Sequence, residues 1–540
     1  VVTYMRHTSN LENAIDFSAE HLAKPLSLDM KKVLWDVETQ KYESIRDSLD
    51  HYLDTWKKWN REFIEAMHLI ESSLYEGEET RRLNTLDKSL SVILDGTYEK
   101  MLHYSHNLKG PITMLHMMGV ILPILGLVIL PLVVSFMEGV EWYHISLLYN
   151  VALPVGVLYI GTKILAQRPT CYGDPDIAEE HPELKKERNI QINLGFYKTM
   201  VNPLMLSLLV GGLLFMIGIS PLLLHMLNPS MDFDFCIQEG KFKTGVQLEE
   251  GEVKGLCLLD YKENKAGKLM GPFGVGAALL GVFVPLSVGL GIALYFYNRS
   301  KNVMEIRNRS KQLEAEFASA LFQLGGRLGD GIPTEMAFSK VAASMEGTTS
   351  GDFFKTVDGN IKRLGMGVEA AIFDPKYGAL KKFPSKVIES SMKVLIESAK
   401  KGPRIASEAL TNVSRYLQEL HKVDEKLKDL MGDIVGSMKS QVKFLTPVIS
   451  GIVVGITSMI SSILGRLQGH LGNMAAESGA GMSGGITNMF GVGLPTYFFQ
   501  IVVGLYVVEL GIILIILSNG IENGVDKLMR NYRIGTDLKK

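Results

Sequence analysis

Leu410-Thr-Asn-Val-Ser-Arg-Tyr-Leu417-Gln-Glu-Leu420-His-Lys-Val423-Asp-Glu-Lys-Leu427-Lys-Asp-Leu430 sets the plan of the chain. Its apolar residues recur at steps of three or four and continue through Ile434, Met438, Val442 and Leu445, the pattern of one face of a long α-helix. No glycine-proline pair or turn cluster interrupts it before Phe444. There an apolar run of about twenty residues begins, enough to cross a ~30 Å hydrocarbon layer. The polar, helix-patterned stretch that leads into it starts as far back as Leu321. A rod continuous from water into lipid can carry force between the two, and the rest of the sequence is read outward from it.

Composition separates two populations that the average conceals. The 540 residues are 46% hydrophobic and 21% charged, but the charge is dense in some blocks and nearly absent from others. A formal net charge of -2 excludes a nucleic-acid binder on bulk charge. The three cysteines, Cys171, Cys236 and Cys257, are too few for a disulfide scaffold and lack C-x-x-C spacing. There is no phosphate-binding G-x-x-x-x-G-K-[ST], no H-E-x-x-H and no G-x-S-x-G, and the histidines are scattered without ligand spacing. The sequence therefore predicts neither catalytic residues nor a cofactor or metal, and a chain that takes its energy from a partner.

Taken in order, residues 1–114 read as a first polar helical bundle, and 115–165 as a transmembrane hairpin with Trp142 and Tyr143 as interfacial anchors. Residues 166–202 are a basic loop, and 203–297 hold spans three and four, joined by an acidic loop at 227–269. Glycines at 271, 274, 276, 281, 289 and 291 predict close packing of span four against its neighbours. Residues 298–443 form a second polar bundle, 444–518 hold spans five and six around a glycine-rich loop at 469–494, and 519–540 are a basic tail. The basic clusters, Arg299, Lys301, Arg307, Arg309 and Lys311 among them, put both bundles, both termini and the 166–202 loop on the cytosolic side. The fold class is thus an all-α polytopic membrane protein with about six transmembrane helices and two helical bundles. On this topology Cys236 and Cys257 share an extracytoplasmic loop where a bridge is chemically permitted. Glu509, near the middle of span six, is the clear intramembrane ionisable residue and is expected to face the protein interior.

The two polar blocks resemble each other. Leu69-Ile-Glu-Ser72 followed by Gly77 matches Leu395-Ile-Glu-Ser398 followed by Gly402, and Asn10-Leu-Glu-Asn-Ala14 stands where Pro333-Thr-Glu-Met-Ala337 stands. The second copy carries an additional helical stretch, Leu313–Leu328, ahead of that point, so the comparison predicts a helix preceding Val1.

A family likeness rests on Leu324-Gly-Gly-Arg-Leu-Gly-Asp-Gly-Ile-Pro-Thr-Glu-Met-Ala337, a helix end, a Gly/Pro turn and a new helix. It resembles the L-x-x-G-x-x-x-x-G-x-P/S-x-x-x-A signature of the type II secretion F domain. The segments Gly493-Leu-Pro495, Gly504-Leu-Tyr-Val-Val-Glu509 and Asn519-Gly-Ile-Glu-Asn-Gly-Val-Asp526 are similar to the archaeal branch, which includes the archaellum platform protein. The first copy lacks the Gly-x-Pro pair. The resemblance implies two F-type bundles in a homodimeric platform of the cell membrane that binds a hexameric assembly ATPase and moves pilin-like subunits. Asp330, Gly331 and Pro333, with Arg299, Lys301, Arg307, Arg309 and Lys311, are then the candidate ATPase contacts; the basic residues also suit lipid headgroups. A secondary transporter is the alternative from another class, since repeated halves and Gly/Pro-broken spans occur there too.

Overall fold

The computed structural model describes residues 1–168, 188–193, 198–227, 235–238, 241–244, 256–263, 269–445 and 495–539, apart from 7, 23–24 and 137–139, with short pieces between 447 and 463. Within these, the elements run α1 (Val2–Met5), α2 (Leu11–His21), α3 (Leu26–Glu38), α4 (Ile45–Asp54), α5 (Arg61–Ser72), α6 (Glu79–His116), α7 (Leu122–Phe136), α8 (Trp142–Ser146) and α9 (Leu153–Leu165). Then come β1 (Ile190–Asn193), β2 (Lys198–Val201), α10 (Pro203–Leu227), β3 (Phe235–Gln238), β4 (Lys241–Thr244), β5 (Leu256–Glu263) and β6 (Leu269–Phe273). The chain continues through α11 (Val275–Gly329), α12 (Thr334–Ser344), α13 (Thr349–Leu364), α14 (Val368–Phe373), α15 (Ala379–Lys382), α16 (Lys386–Ala399), α17 (Pro403–Ser440), α18 (Thr496–Asn523) and α19 (Lys527–Asp537).

The protein is largely helical and, among the described residues, five helices are long and apolar enough to cross a membrane: Glu79–Leu130, Trp142–Leu165, Pro203–Leu223, Gly276–Gly329 and Thr496–Asn523. This is the organisation of a multi-pass membrane protein. Span five, predicted over 444–467, is described only in short pieces, and the loop at 469–494 and Cys171 lie outside the described residues.

Two small antiparallel sheets correct the all-α expectation. β1 pairs with β2, and a four-stranded sheet has the order β4-β3-β5-β6. The strands were concealed because each is short and their lysines and acids make the 227–269 segment read as a polar loop, though Lys241-Phe-Lys-Thr244 does alternate. For the same reason span four was predicted to start too early: residues 269–273 are strand, and the helix begins at Val275.

Contacts divide the chain into two compact units, residues 1–103 with 305–430, and residues 104–304 with 431–540. The first unit contains two helical bundles. Side-chain caps at Asn10, Ser44 and Asn60 in one, and at Thr348 and Ser385 in the other, accept from the N–H three residues on and start their helices. Gly365, at φ +64°, closes α13 in the left-handed conformation that favours glycine. One core gathers Met5, Ile15, Leu49, Leu53, Ile70 and Leu86; the other gathers Phe317, Phe338, Phe353, Phe354, Leu395 and Leu410, all fully or almost fully buried.

The second unit is organised around α18. Just over half of its apolar window, 56%, is buried, against 17% for that of α10. Small residues let the helices meet: a Cβ on Gly504 would fall 2.4 Å from Pro285 Cγ, and one on Gly161 would fall 2.5 Å from Leu517. Gly281 lies against Tyr497 and Gln500, and Gly289 against Val508, so glycines of span four do admit a neighbour as their spacing predicts. Two tyrosines of α18 supply donors to other spans: Tyr497 donates to the Gly218 carbonyl at 2.8 Å and Tyr506 to that of Gly119.

Candidate functional site

Three helices continue from one unit into the other along the chain. α11 runs 55 residues from the apolar Val275 to Gly329, about 80 Å at 1.5 Å per residue, far more than a bilayer requires. The additional stretch Leu313–Leu328 and span four are therefore one helix. α6 and α17 are each 38 residues long. Each passes directly into a five-residue π-helical segment, Met117–Ile121 and Gln441–Leu445 respectively. Such segments are commonly placed at functional positions in helices. After the first of them the helix resumes as α7. Past the second, residue 446 lies outside the described residues.

At the far end of α11 sits the Gly/Pro turn. The N–H groups of Asp330, Gly331 and Ile332 donate back to the carbonyls of Gly326, Leu328 and Arg327, closing the helix. Gly331 takes φ +79°, which only glycine adopts without strain, and Pro333 with extended backbone is the residue from which α12 starts. Asp330, Gly331 and Pro333 are all exposed, so this turn presents its backbone and one carboxylate to solvent.

The basic residues of α11 do not act as one patch. Arg299 is half-buried and lies over the Tyr295 ring, 5.5 Å from its centroid, and donates to its hydroxyl. Lys301 and Arg309 are exposed, with Arg309 reaching Glu305 at 3.4 Å, and Lys311 is exposed as well. Arg307 is 2% exposed, which corrects its reading as a surface contact. It falls one turn from buried Val303 and Met304, and helical phase, invisible in a count of basic residues, turns it inward.

Within the first unit an ionic hub joins the two bundles. Asp87 of α6 accepts from Tyr416 of α17 at 2.9 Å and from Arg6, and Arg415 stands 3.6 Å away. Arg6 lies over the Tyr416 ring, 5.3 Å from its centroid. Burial pushes the Tyr416 hydroxyl well above its usual range, so it remains a donor to Asp87 at any physiological pH. In the second unit Glu522 of α18 binds Lys439 at 3.1 Å and Arg533 at 2.8 Å, while Lys443 pairs with Asp537 at 3.0 Å. These pairs fasten the end of α17 and its π-helical segment to α18 and α19.

Glu509 is half-buried on α18, and its Oε2 is buried with no hydrogen-bond partner among the described residues. Cys236 and Cys257 are opposed in the register of β3 and β5, next to a register shift at Phe235/Cys236. Directly opposed residues of an antiparallel pair have Cα atoms about 4.5–5.5 Å apart, inside the span of a disulfide.

No metal-ligand spacing is legible in the sequence, yet among the described residues the fold assembles a set of such side chains. Asp50, His68 and Glu71 bring one donor atom each to within 4.8 Å of one another. They were missed because Asp50 lies on α4 and the other two on α5, at a separation no ligand motif uses. The i, i+3 pairing of His68 with Glu71 was the available signal. No family model, curated protein or solved structure matches this chain.

Proposed function

We propose that this chain is a membrane platform of the archaeal type IV pilus and archaellum kind, which passes the movement of a hexameric assembly ATPase to pilin-like subunits in the bilayer. The observation that carries this reading is α11: one helix joins a membrane-length apolar segment to the exposed turn at Asp330, Gly331 and Pro333 that bears the family-like signature. A load applied at the turn is transmitted along one continuous helix, which gives up a backbone hydrogen bond at Pro285 inside its apolar segment, and α6, with Pro111, and α17 supply two more such elements. The equal lengths of α6 and α17, and the matching π-helical segments that follow them, support descent of the two bundles from one repeated F-type unit. In this arrangement both bundles and both termini are cytosolic, six spans cross the membrane, a homodimer is the working unit, and Cys236 and Cys257 form a bridge on the outer face. The unpartnered oxygen of Glu509 is then a contact for a passing pilin helix.

The test uses full-length protein in detergent and a Walker-A assembly ATPase encoded beside it. The wild-type chain retains the ATPase, and Asp330→Lys reduces that retention. A Gly-Gly-Pro insertion after Asn302, which breaks α11, leaves retention intact but abolishes filament assembly. Failure of the wild type to hold any such ATPase, or filaments assembled by the broken-rod variant, overturns the reading. Substrate uptake in proteoliposomes dependent on Glu509 supports the secondary transporter instead.

A further inference from the structure

We propose that Asp50, His68 and Glu71 form a binding site for a divalent transition-metal ion of the Zn2+ class, within the bundle of residues 1–103. His68 and Glu71 are three residues apart on α5, so both project from one face of that helix, and Asp50 reaches them from α4. His68 Nδ1 stands 3.2 Å from Glu71 Oε2 and 3.5 Å from Asp50 Oδ1. Bonds of 2.0–2.1 Å to a tetrahedral ion put neighbouring donor atoms about 3.4 Å apart, the spacing that His68 Nδ1 already keeps from both carboxylates, and all three donor atoms lie within 4.8 Å of one another.

The second, independent observation is Glu71 itself. Its residue is 3% exposed, Oε1 has no hydrogen-bond partner among the described residues, and Oε2 meets His68 Nδ1 within the cluster. A buried carboxylate without an outside donor is costly to the fold and calls for a cation. Packing does not demand an acid there. Counted from the helix caps Asn60 and Ser385, the position of Glu71 in the other bundle is held by Ile396.

Arg46 is the neighbouring cation; its charge acts on Glu71, but it gives Oε1 no hydrogen bond. Its Nε is 3.9 Å from Asp50 Oδ2, not the oxygen that stands 3.5 Å from His68, and its Nη1 donates to the Tyr75 hydroxyl at 3.0 Å. The His68 side chain is half-exposed, which gives an ion a route in. Three protein ligands with a fourth position facing solvent match the open donor set that zinc accepts.

The experiment is calorimetric titration of Zn2+ into full-length, detergent-solubilised protein stripped with a chelator, with Co2+ absorption as a report on the ligand set. One Zn2+ equivalent is expected. His68→Ala and Asp50→Asn each weaken binding roughly tenfold or more, since removal of even supporting groups costs that much. Glu397→Gln, which alters an exposed acid on α16, leaves it unchanged. His68 is half-exposed, so its variant is suitable for reading the site even if Glu71→Gln perturbs folding. Overturning results are a wild type that binds no stoichiometric Zn2+, or a His68→Ala variant that binds as tightly as wild type.

Discussion

The two bundles of the first unit bury helices of similar layout with different chemistry. In residues 305–430 the core is aromatic: Phe317, Phe338, Phe353 and Phe354 are fully buried, and Phe353 meets Phe317 and Phe354 edge-on with centroids 5.9 and 5.4 Å apart. In residues 1–103 the core is methionine, leucine and isoleucine, stitched by buried polar groups. Arg82, 7% exposed, donates to the Met5 carbonyl at 2.6 Å and the Arg6 carbonyl at 3.1 Å, satisfying the C-terminal end of α1. Non-directional packing and directional pairing fail differently, which is the lesson of the contrast. Ring packing of this kind is expected to make the aromatic core the stiffer of the two. A polar-stitched bundle is free to hold a hub such as Asp87 and a cluster such as Asp50, His68 and Glu71.

Three measurements break or sharpen that contrast. The largest effect is expected from Phe354→Ala, which leaves a cavity among rings and costs about 3–5 kcal/mol. Denaturant unfolding, read by proteolysis within 305–430, detects it; a cost below that of Leu49→Ala in the first bundle removes the claim that the aromatic core is the stiffer. Next is Arg82→Ala, at roughly 1.5–3 kcal/mol for a charge-assisted pair of hydrogen bonds. Its mark is local: amide hydrogen exchange of residues 1–6 accelerates while that of α13 is unchanged.

The smallest is a pH effect. The hydrogen bond from Lys100, aided by its charge, holds Glu62 below the usual 4.5. Because the folded value is the lower one, the pair contributes stability above the ordinary carboxyl range and loses it as pH falls from 4.5 through the folded value. For side chains about a third exposed the whole contribution is within roughly 1 kcal/mol. Urea midpoints of wild type and Glu62→Gln should therefore converge below that range and separate above it. A constant gap across the titration assigns the effect to packing.

Four identical letters show how far the sequence carries. Leu69-Ile-Glu-Ser72 and Leu395-Ile-Glu-Ser398 suggest equal positions in two copies. Counted from the caps Asn60 and Ser385, however, Ile70 and Leu395 coincide and are both buried, whereas Glu71 is buried and Glu397 exposed. The match is one residue out of phase, and one residue turns a helical side chain by about 100°. Leucine periodicity from Leu410 onward foretold α17, and the glycines foretold close helix approach in span four. The same composition gave no warning of β3 to β6, whose alternation is too brief to register against a charged background.

Sequence by itself determined where the long helices run and that they reach membrane length, because helical periodicity and hydropathy are properties of neighbouring residues. Only the tertiary structure decided that Arg307 is buried, that Asp87 unites Arg6 with Tyr416, that Cys257 faces Cys236 across a strand pair, and that Asp50 approaches His68 and Glu71. Each of these joins side chains or strands from separate elements, and their separation in space is set by packing that no local pattern encodes.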